Sequence, residues 1–333
     1  MRFFSKYRFW GVGLGAGLLG AILLAVRYAF KTPKAAKIPD TVAPAIFATR
    51  IFYTGRGHLV YHESGNGEPL VFIHGVYAGA SSFEWSRVYP HFAERFQVLA
   101  PDLLGFGESS RPNRPFGPSE HAEILAEFLR AKAGQTRSVL VASGLSAAFA
   151  ILLTERHPEL VQRLVLVMPV GTAGNHGRRN FFDYSRWLAA LPLARQAYYY
   201  RFLATKARIR LWLATACFSD PEKIDDEIVD VLWTYSRQFG ANRAALYSVR
   251  GKLNVDLERH LAEVTQPVTL VWGEEAKFPP VHVGYRLQEL ARQSNLVVLN
   301  KAGVFAALES PRELCALLDR ELDSQLRIYQ AGG

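Results

Sequence analysis

The stretch Val139-Leu-Val-Ala-Ser-Gly-Leu-Ser-Ala-Ala148 runs from an apolar segment directly into small residues. Within it, Gly144-Leu-Ser146-Ala-Ala148 has the small-x-Ser-x-small spacing of a serine on a sharp strand-to-helix turn. Such a serine attacks an acyl carbon only where a histidine takes its proton and an acid orients the histidine. Ser143 offers a second hydroxyl in the same turn. The alternative role for both serines is capping the helix that follows.

Other chemistries have less support. Two cysteines, Cys217 and Cys315, are too few for a disulfide scaffold or a cysteine-based zinc cluster. The sequence has no glycine loop spaced to cradle phosphates before a helix and no set of metal ligands, so no metal or cofactor is expected.

The elements that must position the turn follow an α/β alternation. Strands are expected at Pro69–Ile73, Gln97–Ala100, Ser138–Ala142, Leu164–Met168, Val268–Trp272 and Leu296–Leu299, with a hairpin of Arg50–Thr54 and His58–Glu63 before them. Helices are expected over Ser82–Phe96, Ser119–Ala133, Ser146–His157, Val281–Gln293 and Pro311–Leu322. Between Gly171 and Asp256 the strand signal stops and helical patterns rich in Tyr, Trp, Leu and Arg replace it.

Several motifs then fall in order: Leu70-Val-Phe-Ile-His-Gly75, Ala100-Pro-Asp-Leu-Leu-Gly-Phe-Gly-Glu-Ser109, His157-Pro-Glu-Leu, Leu164-Val-Leu-Val and Pro267-Val-Thr-Leu-Val-Trp-Gly273. Over about residues 50–325 the chain resembles the α/β-hydrolase fold, in the branch of epoxide hydrolases, haloalkane dehalogenases and small esterases. The resemblance implies a mostly parallel central sheet flanked by helices. The core would comprise 50–170 and 257–333, with a helical lid at 171–256.

The resemblance also locates three catalytic positions, and this sequence departs from the family at each. Aligning the strand on one side and His157-Pro158 on the other puts Gly144 at the nucleophile position. The acid position, in Trp272-Gly-Glu-Glu-Ala-Lys-Phe-Pro-Pro280, holds Ala276. The base position, in Lys301-Ala-Gly-Val-Phe305, holds Val304. The alternative acid site after Leu164–Val167 offers Met168, and His260 and His282 belong elsewhere. Ser146 is the fallback nucleophile by a shift of register, without a base. The loop His74-Gly75-Val76-Tyr77 corresponds to the one whose backbone N–H, with that of Leu145, forms the family's oxyanion hole. These five residues are the expected ligand-binding set. His74 is read as structural rather than as a base, and so are Asp102 and the Gly105-Phe-Gly107 turn.

Composition sets the surroundings. The chain has 333 residues and a net charge of +9, yet residues 1–50 carry eight Lys/Arg against Asp40 and the remainder has a net charge of only +2. A nearly neutral body argues against nucleic acid, whereas a basic terminus suits a membrane surface. Phe9–Val26 is 18 uncharged, mostly apolar residues flanked by Lys6, Arg8, Arg27 and Lys31. That length spans about 27 Å as a helix, close to the thickness of a bilayer core. A single-pass N-terminal anchor over 1–31 with a linker at 32–49 is expected, and basic residues on both flanks leave its orientation open. Gly11, Gly13, Gly15 and Gly17 are spaced to let a membrane helix of a partner approach closely.

Residues 172–210 contain eight Arg/Lys against Asp183, interleaved with aromatics. They fit either a lipid headgroup surface or a lid with its arginines in water. The first functional expectation is a membrane-anchored, non-catalytic binding or assembly subunit. Two alternatives stand beside it: a lipid-like ester hydrolase using Ser146 or an atypical site, and a carrier of a hydrophobic small molecule in the former active-site pocket.

Overall fold

Aliphatic and β-branched runs become eight strands in one sheet, ordered β1-β2-β4-β3-β5-β6-β7-β8. The strands are β1 (Ala48–Thr54), β2 (Gly57–Ser64), β3 (Glu68–Ile73), β4 (Phe96–Pro101), β5 (Ser138–Ser143), β6 (Val161–Val167), β7 (Val268–Gly273) and β8 (Ser294–Leu299). The computed structural model describes residues 44–331 except 115, 172–195, 197, 198, 250 and 292. The expected anchor, its glycines and most of the basic–aromatic segment lie outside the described residues. Among the described residues, no helix is long and apolar enough to cross a membrane.

β1 and β2 form an antiparallel hairpin that joins β4 antiparallel, and β3 to β8 run parallel. Every residue of β5 and β7 is buried, as parallel strands covered on both faces require. β1, on the sheet edge, is largely exposed.

The chain places β4 on one side of β3 and β5 on the other, so the strand order reverses between β3 and β5. A crevice opens beyond the carboxyl ends of the strands at such a point, where open α/β sheets bind ligands. Ile73 pairs with Ala142 there, so the loops leaving β3 and β5 begin side by side.

Helices α1 (Pro118–Ala133) and α2 (Ser146–Arg156) follow β4 and β5 and pack on each other. Between β6 and β7 the described residues are helical: α3 (Lys206–Trp212), a π-turn at Leu213–Cys217, α4 (Asp226–Ser236), α5 (Ala241–Val249) and α6 (Leu257–Glu263). The remaining helices are α7 (His282–Leu290), α8 (Ala306–Glu309) and α9 (Pro311–Ala331), the last longer than the sequence suggested.

The helix expected over Ser82–Phe96 does not form. Two 3-10 turns, Ser82–Trp85 and Tyr89–Phe92, take its place. Pro90 has no N–H to offer and disfavours helical backbone at Tyr89, which divides the segment.

The acidic helix starts of the insertion are caps as well as charges. Asp225 accepts from Ile228 N–H at the start of α4, and Asp220 from Glu222 N–H. They also form ion pairs. Lys206 pairs with Asp230 at 2.6 Å, Arg210 with Asp226, and Arg87 of the core with Asp225. Lys206 and Arg210, two of the eight cations in the basic half, are therefore engaged inside the insertion.

Candidate functional site

The turn from β5 to α2 carries Gly144 at φ +55°, a left-handed conformation that glycine takes without steric cost. Gly144 N–H donates to Val167 O and its own carbonyl accepts from Val170 N–H, which fixes the turn between β5 and β6. A β-carbon placed on Gly144 would meet nothing nearer than Gly75 Cα at 4.0 Å. A side chain has room there, and the residue supplies none.

Ser146 begins α2 and is fully buried. Its hydroxyl donates to Ser143 O at 2.8 Å and toward Ile73 O at 3.3 Å. Ser143 Oγ donates to the Glu84 carboxylate. Neither serine accepts a helix N–H, so the capping role expected for them is corrected: both hydroxyls act as donors that tie the turn to its neighbours.

The acid and base loops lie side by side because β7 and β8 pair up to Gly273 and Leu299. Glu274 N–H donates to Leu299 O and Glu275 N–H to Ala302 O. Ala276 is buried, and Val304 is partly buried against the core. Met168, at φ +49°, directly follows β6, and its sulfur accepts from Gly273 N–H at 3.2 Å. His260 pairs with Glu155, away from this loop pair, and His282 begins α7.

His74 is held from both ring nitrogens. Nε2 accepts Leu103 N–H at 2.9 Å, so the proton sits on Nδ1 and is donated to Gly75 O at 2.7 Å. A fully buried ring with both nitrogens engaged has none left to take a proton. Asp102 likewise shapes the backbone, accepting Ser82 N–H and Glu108 N–H at 2.7 Å each.

The N–H groups of Val76 and Leu145 find no acceptor among the described residues. Each belongs to the residue that directly follows a glycine, Gly75 and Gly144 respectively. Tyr77 closes the loop: its ring packs on Trp212 and Phe305, with centroids at 5.5 and 4.9 Å.

Two carboxylates escaped the sequence reading. Glu84 is 4% exposed and accepts Gly75 N–H at 2.8 Å and the Tyr77 hydroxyl at 2.9 Å, besides Ser143. Burial, and then the Glu84 charge, push the Tyr77 hydroxyl well above the usual tyrosine range. The same two causes, in that order, raise the Cys217 thiol, the wrong direction for a nucleophile. Glu309 is 5% exposed and accepts from Gly303, Ser219 and Asp220 N–H at 2.7, 2.7 and 2.8 Å. The available signal was an acid inside an apolar run, Phe83-Glu-Trp85 in one case and Ala306-Ala-Leu-Glu309 in the other. Acids rarely sit there unless paired.

The sheet order, the glycine elbow and the helical insertion after β6 agree with a match of residues 68–311 to one family. The chain belongs to the alpha/beta hydrolase fold family. Its relatives include a 2-hydroxy-6-oxo-6-(2'-aminophenyl)hexa-2,4-dienoic acid hydrolase of Metapseudomonas resinovorans, 26% identical over 80% of this chain and 88% of that one. A 2-hydroxymuconate semialdehyde hydrolase of Pseudomonas sp. (strain CF600) is 26% identical over 77% of this chain and 87% of the relative. Among solved structures, a membrane phospholipase A described as a bacterial virulence factor superposes with a TM-score of 0.69 at 22% identity, covering 96% of this chain and 97% of its own. A serine hydrolase involved in carbazole degradation gives a TM-score of 0.69 at 24% identity, covering 83% of this chain and 99% of its own. At those identities the superpositions speak for the hydrolase fold alone.

Proposed function

We propose that this α/β-hydrolase-fold chain is a membrane-anchored binding or assembly subunit that does not hydrolyse by the nucleophile–histidine–acid route. One feature carries the reading: Gly144, Ala276 and Val304, which the family resemblance puts at the nucleophile, acid and base positions, have no group that can attack, take a proton or orient a base. Anchoring rests on the apolar run Phe9–Val26, and its glycines suit a helix of an integral membrane partner. The basic and aromatic residues of 172–210 suit a headgroup surface close to the anchor.

The test is a panel of short and long acyl esters together with a fluorophosphonate label, applied to the full-length protein. The reading expects neither turnover nor labelling. Turnover that disappears in Ser146→Ala would overturn it. Extraction of membranes with alkaline carbonate tests the anchor: the full chain should stay in the pellet, and a chain lacking residues 1–31 should be released.

The second reading, a lipid-like ester hydrolase, is favoured by relatives named as hydrolases and by the two unengaged N–H groups of Val76 and Leu145. Ser146 serves it poorly, since its hydroxyl is buried and already donated to a carbonyl. The third, a carrier of a hydrophobic small molecule, uses the same cradle without chemistry.

A further inference from the structure

The two edge strands of the sheet differ in exposure. β8 is exposed only at Asn295, whereas β1 is exposed at Ala48, Thr49, Arg50, Ile51 and Tyr53. Ile51 is 51% and Tyr53 75% exposed, and Ile46, just before the strand, is 62% exposed. Sheet edges are usually blunted by lysine, proline, a bulge or a covering segment. β1 contains no lysine or proline and keeps an unbroken register with β2 over its whole length. Its one charge, Arg50, pairs with Glu63 at 3.0 Å.

The hydrogen bonds of β2 tell which backbone groups of β1 face outward. Val60 N–H donates to Ser109 Oγ, and its carbonyl accepts from Asp102 N–H. His58 N–H donates to Ser110 Oγ, and its carbonyl accepts from Ser110 N–H. Both residues therefore direct their backbone groups away from β1. Their partners Ile51 and Tyr53 occupy non-hydrogen-bonded positions of the antiparallel pair, so their own N–H and C=O point out from the sheet. Thr49, paired with His62, follows by the same alternation.

A second copy of β1 fits this row. Placed antiparallel on a two-fold axis through Ile51, it sets Ile51 against Ile51 and Thr49 against Tyr53 of the other copy. The contact is isologous and closed. Every outward N–H meets a carbonyl, about six hydrogen bonds in all. Ile51 and Tyr53 of both copies share one face and form an apolar row. On the other face Arg50 lies opposite Phe52, so no like charges oppose each other. Ala48 lies opposite Thr54 of the other copy, which separates the two chain entries by about 20 Å. Residues 32–43 of the expected linker can span about 40 Å, so both chains can enter one membrane.

We propose that β1 is a dimer-forming edge, which pairs antiparallel about Ile51 with β1 of a second copy and joins the two sheets. The inference goes beyond the reading above, since the pairing needs neither a vacant elbow nor an anchor.

Sedimentation equilibrium of the full-length protein in non-ionic detergent should show a concentration-dependent dimer. Ile51→Lys puts two ammonium groups opposite each other on the axis and should raise the dimer dissociation constant on the order of tenfold or more. Tyr285→Lys changes an exposed apolar residue of α7, at the other end of the sheet, and should leave the dimer unchanged. Ile51→Cys should give a covalent dimer with a short bis-maleimide, and Tyr285→Cys should not. The native Cys217 and Cys315 are buried, which keeps the background low. A monomer throughout, a dimer that Ile51→Lys leaves intact, or no link through residue 51 overturns the proposal. A dimer held by the N-terminal segments alone would give the second of these results. None of the readouts depends on ester turnover, so the proposed function stands or falls separately.

Discussion

The carbonyl oxygen of Cys217 accepts the amide N–H of Val304 at 2.6 Å, which joins the helical insertion directly to the loop where the family carries its base. Phe305 N–H donates to the same carbonyl at 3.2 Å, and Glu309 gathers Gly303, Ser219 and Asp220 from the two sides. Glu309→Ala leaves three backbone donors without their acceptor, each costing about 1–3 kcal/mol when buried. We expect a loss of at least about 3 kcal/mol in urea denaturation. Glu309→Gln should lose less, and hydrogen exchange should rise over residues 217–220 in the alanine variant.

A second joint lies at Gly79. Its φ is +84°, and an added β-carbon would run into the backbone carbonyl of Leu232 in α4. Backbone on one side and helix on the other leave little to yield. Gly79→Ala should cost about 2–4 kcal/mol, combining left-handed strain with overpacking. Thermal melts together with proteolysis of the insertion would measure it, and an unchanged melt would refute the contact.

Ser146→Ala removes the hydroxyl that donates to Ser143 O. The expected outcome is a stability loss of about 1 kcal/mol, as for one ordinary hydrogen bond. Fluorophosphonate labelling should be absent before and after the change. A label present in the wild type and lost in the variant would instead make Ser146 a nucleophile.

Placing a serine, an acid and a histidine at the three positions tests the proposed assignment. Gly144 has room for a β-carbon, so Gly144→Ser should fold with a loss of about 1–2 kcal/mol from its positive φ. Alone it should not label, having no base. With Ala276→Asp and Val304→His added, fluorophosphonate labelling should appear. A triple variant that folds and stays unlabelled would show that the loops no longer converge on the elbow.

His121 sets a pH dependence. The ring is fully buried in α1 and stacks on Phe149 at 4.7 Å between centroids, and Nε2 has no hydrogen-bond partner among the described residues. Burial, opposed in smaller part by the Glu120 charge, lowers its pKa from an ordinary 6.5 to about 3. The unfolded chain therefore takes up a proton near pH 6.5 that the folded chain refuses until about pH 3. Stability present above pH 6.5 is lost as pH falls through that window, at about 1.4 kcal/mol per pH unit for this proton. His121→Phe keeps the stacked ring without the titration. Its denaturation midpoint should fall less steeply between pH 6.5 and pH 5 than that of the wild type.

The sequence by itself determined the sheet and where its loops end. Val139–Val141 and Val268–Trp272 are apolar on both faces, and only a covered parallel strand satisfies such runs. Gly144, Ala276 and Val304 each lie a few residues past a strand, as the strand pattern of the sequence has them. Tertiary structure alone decided what surrounds them. Ser143 meets Glu84 across 59 residues of chain, and Ser219 meets Glu309 across 90. No local periodicity records which buried donor a carboxylate will find, since that choice is made when distant segments pack and every buried polar group must be satisfied. The same reason applies to Ser146, whose hydrogen bond to Ser143 O the spacing alone did not record.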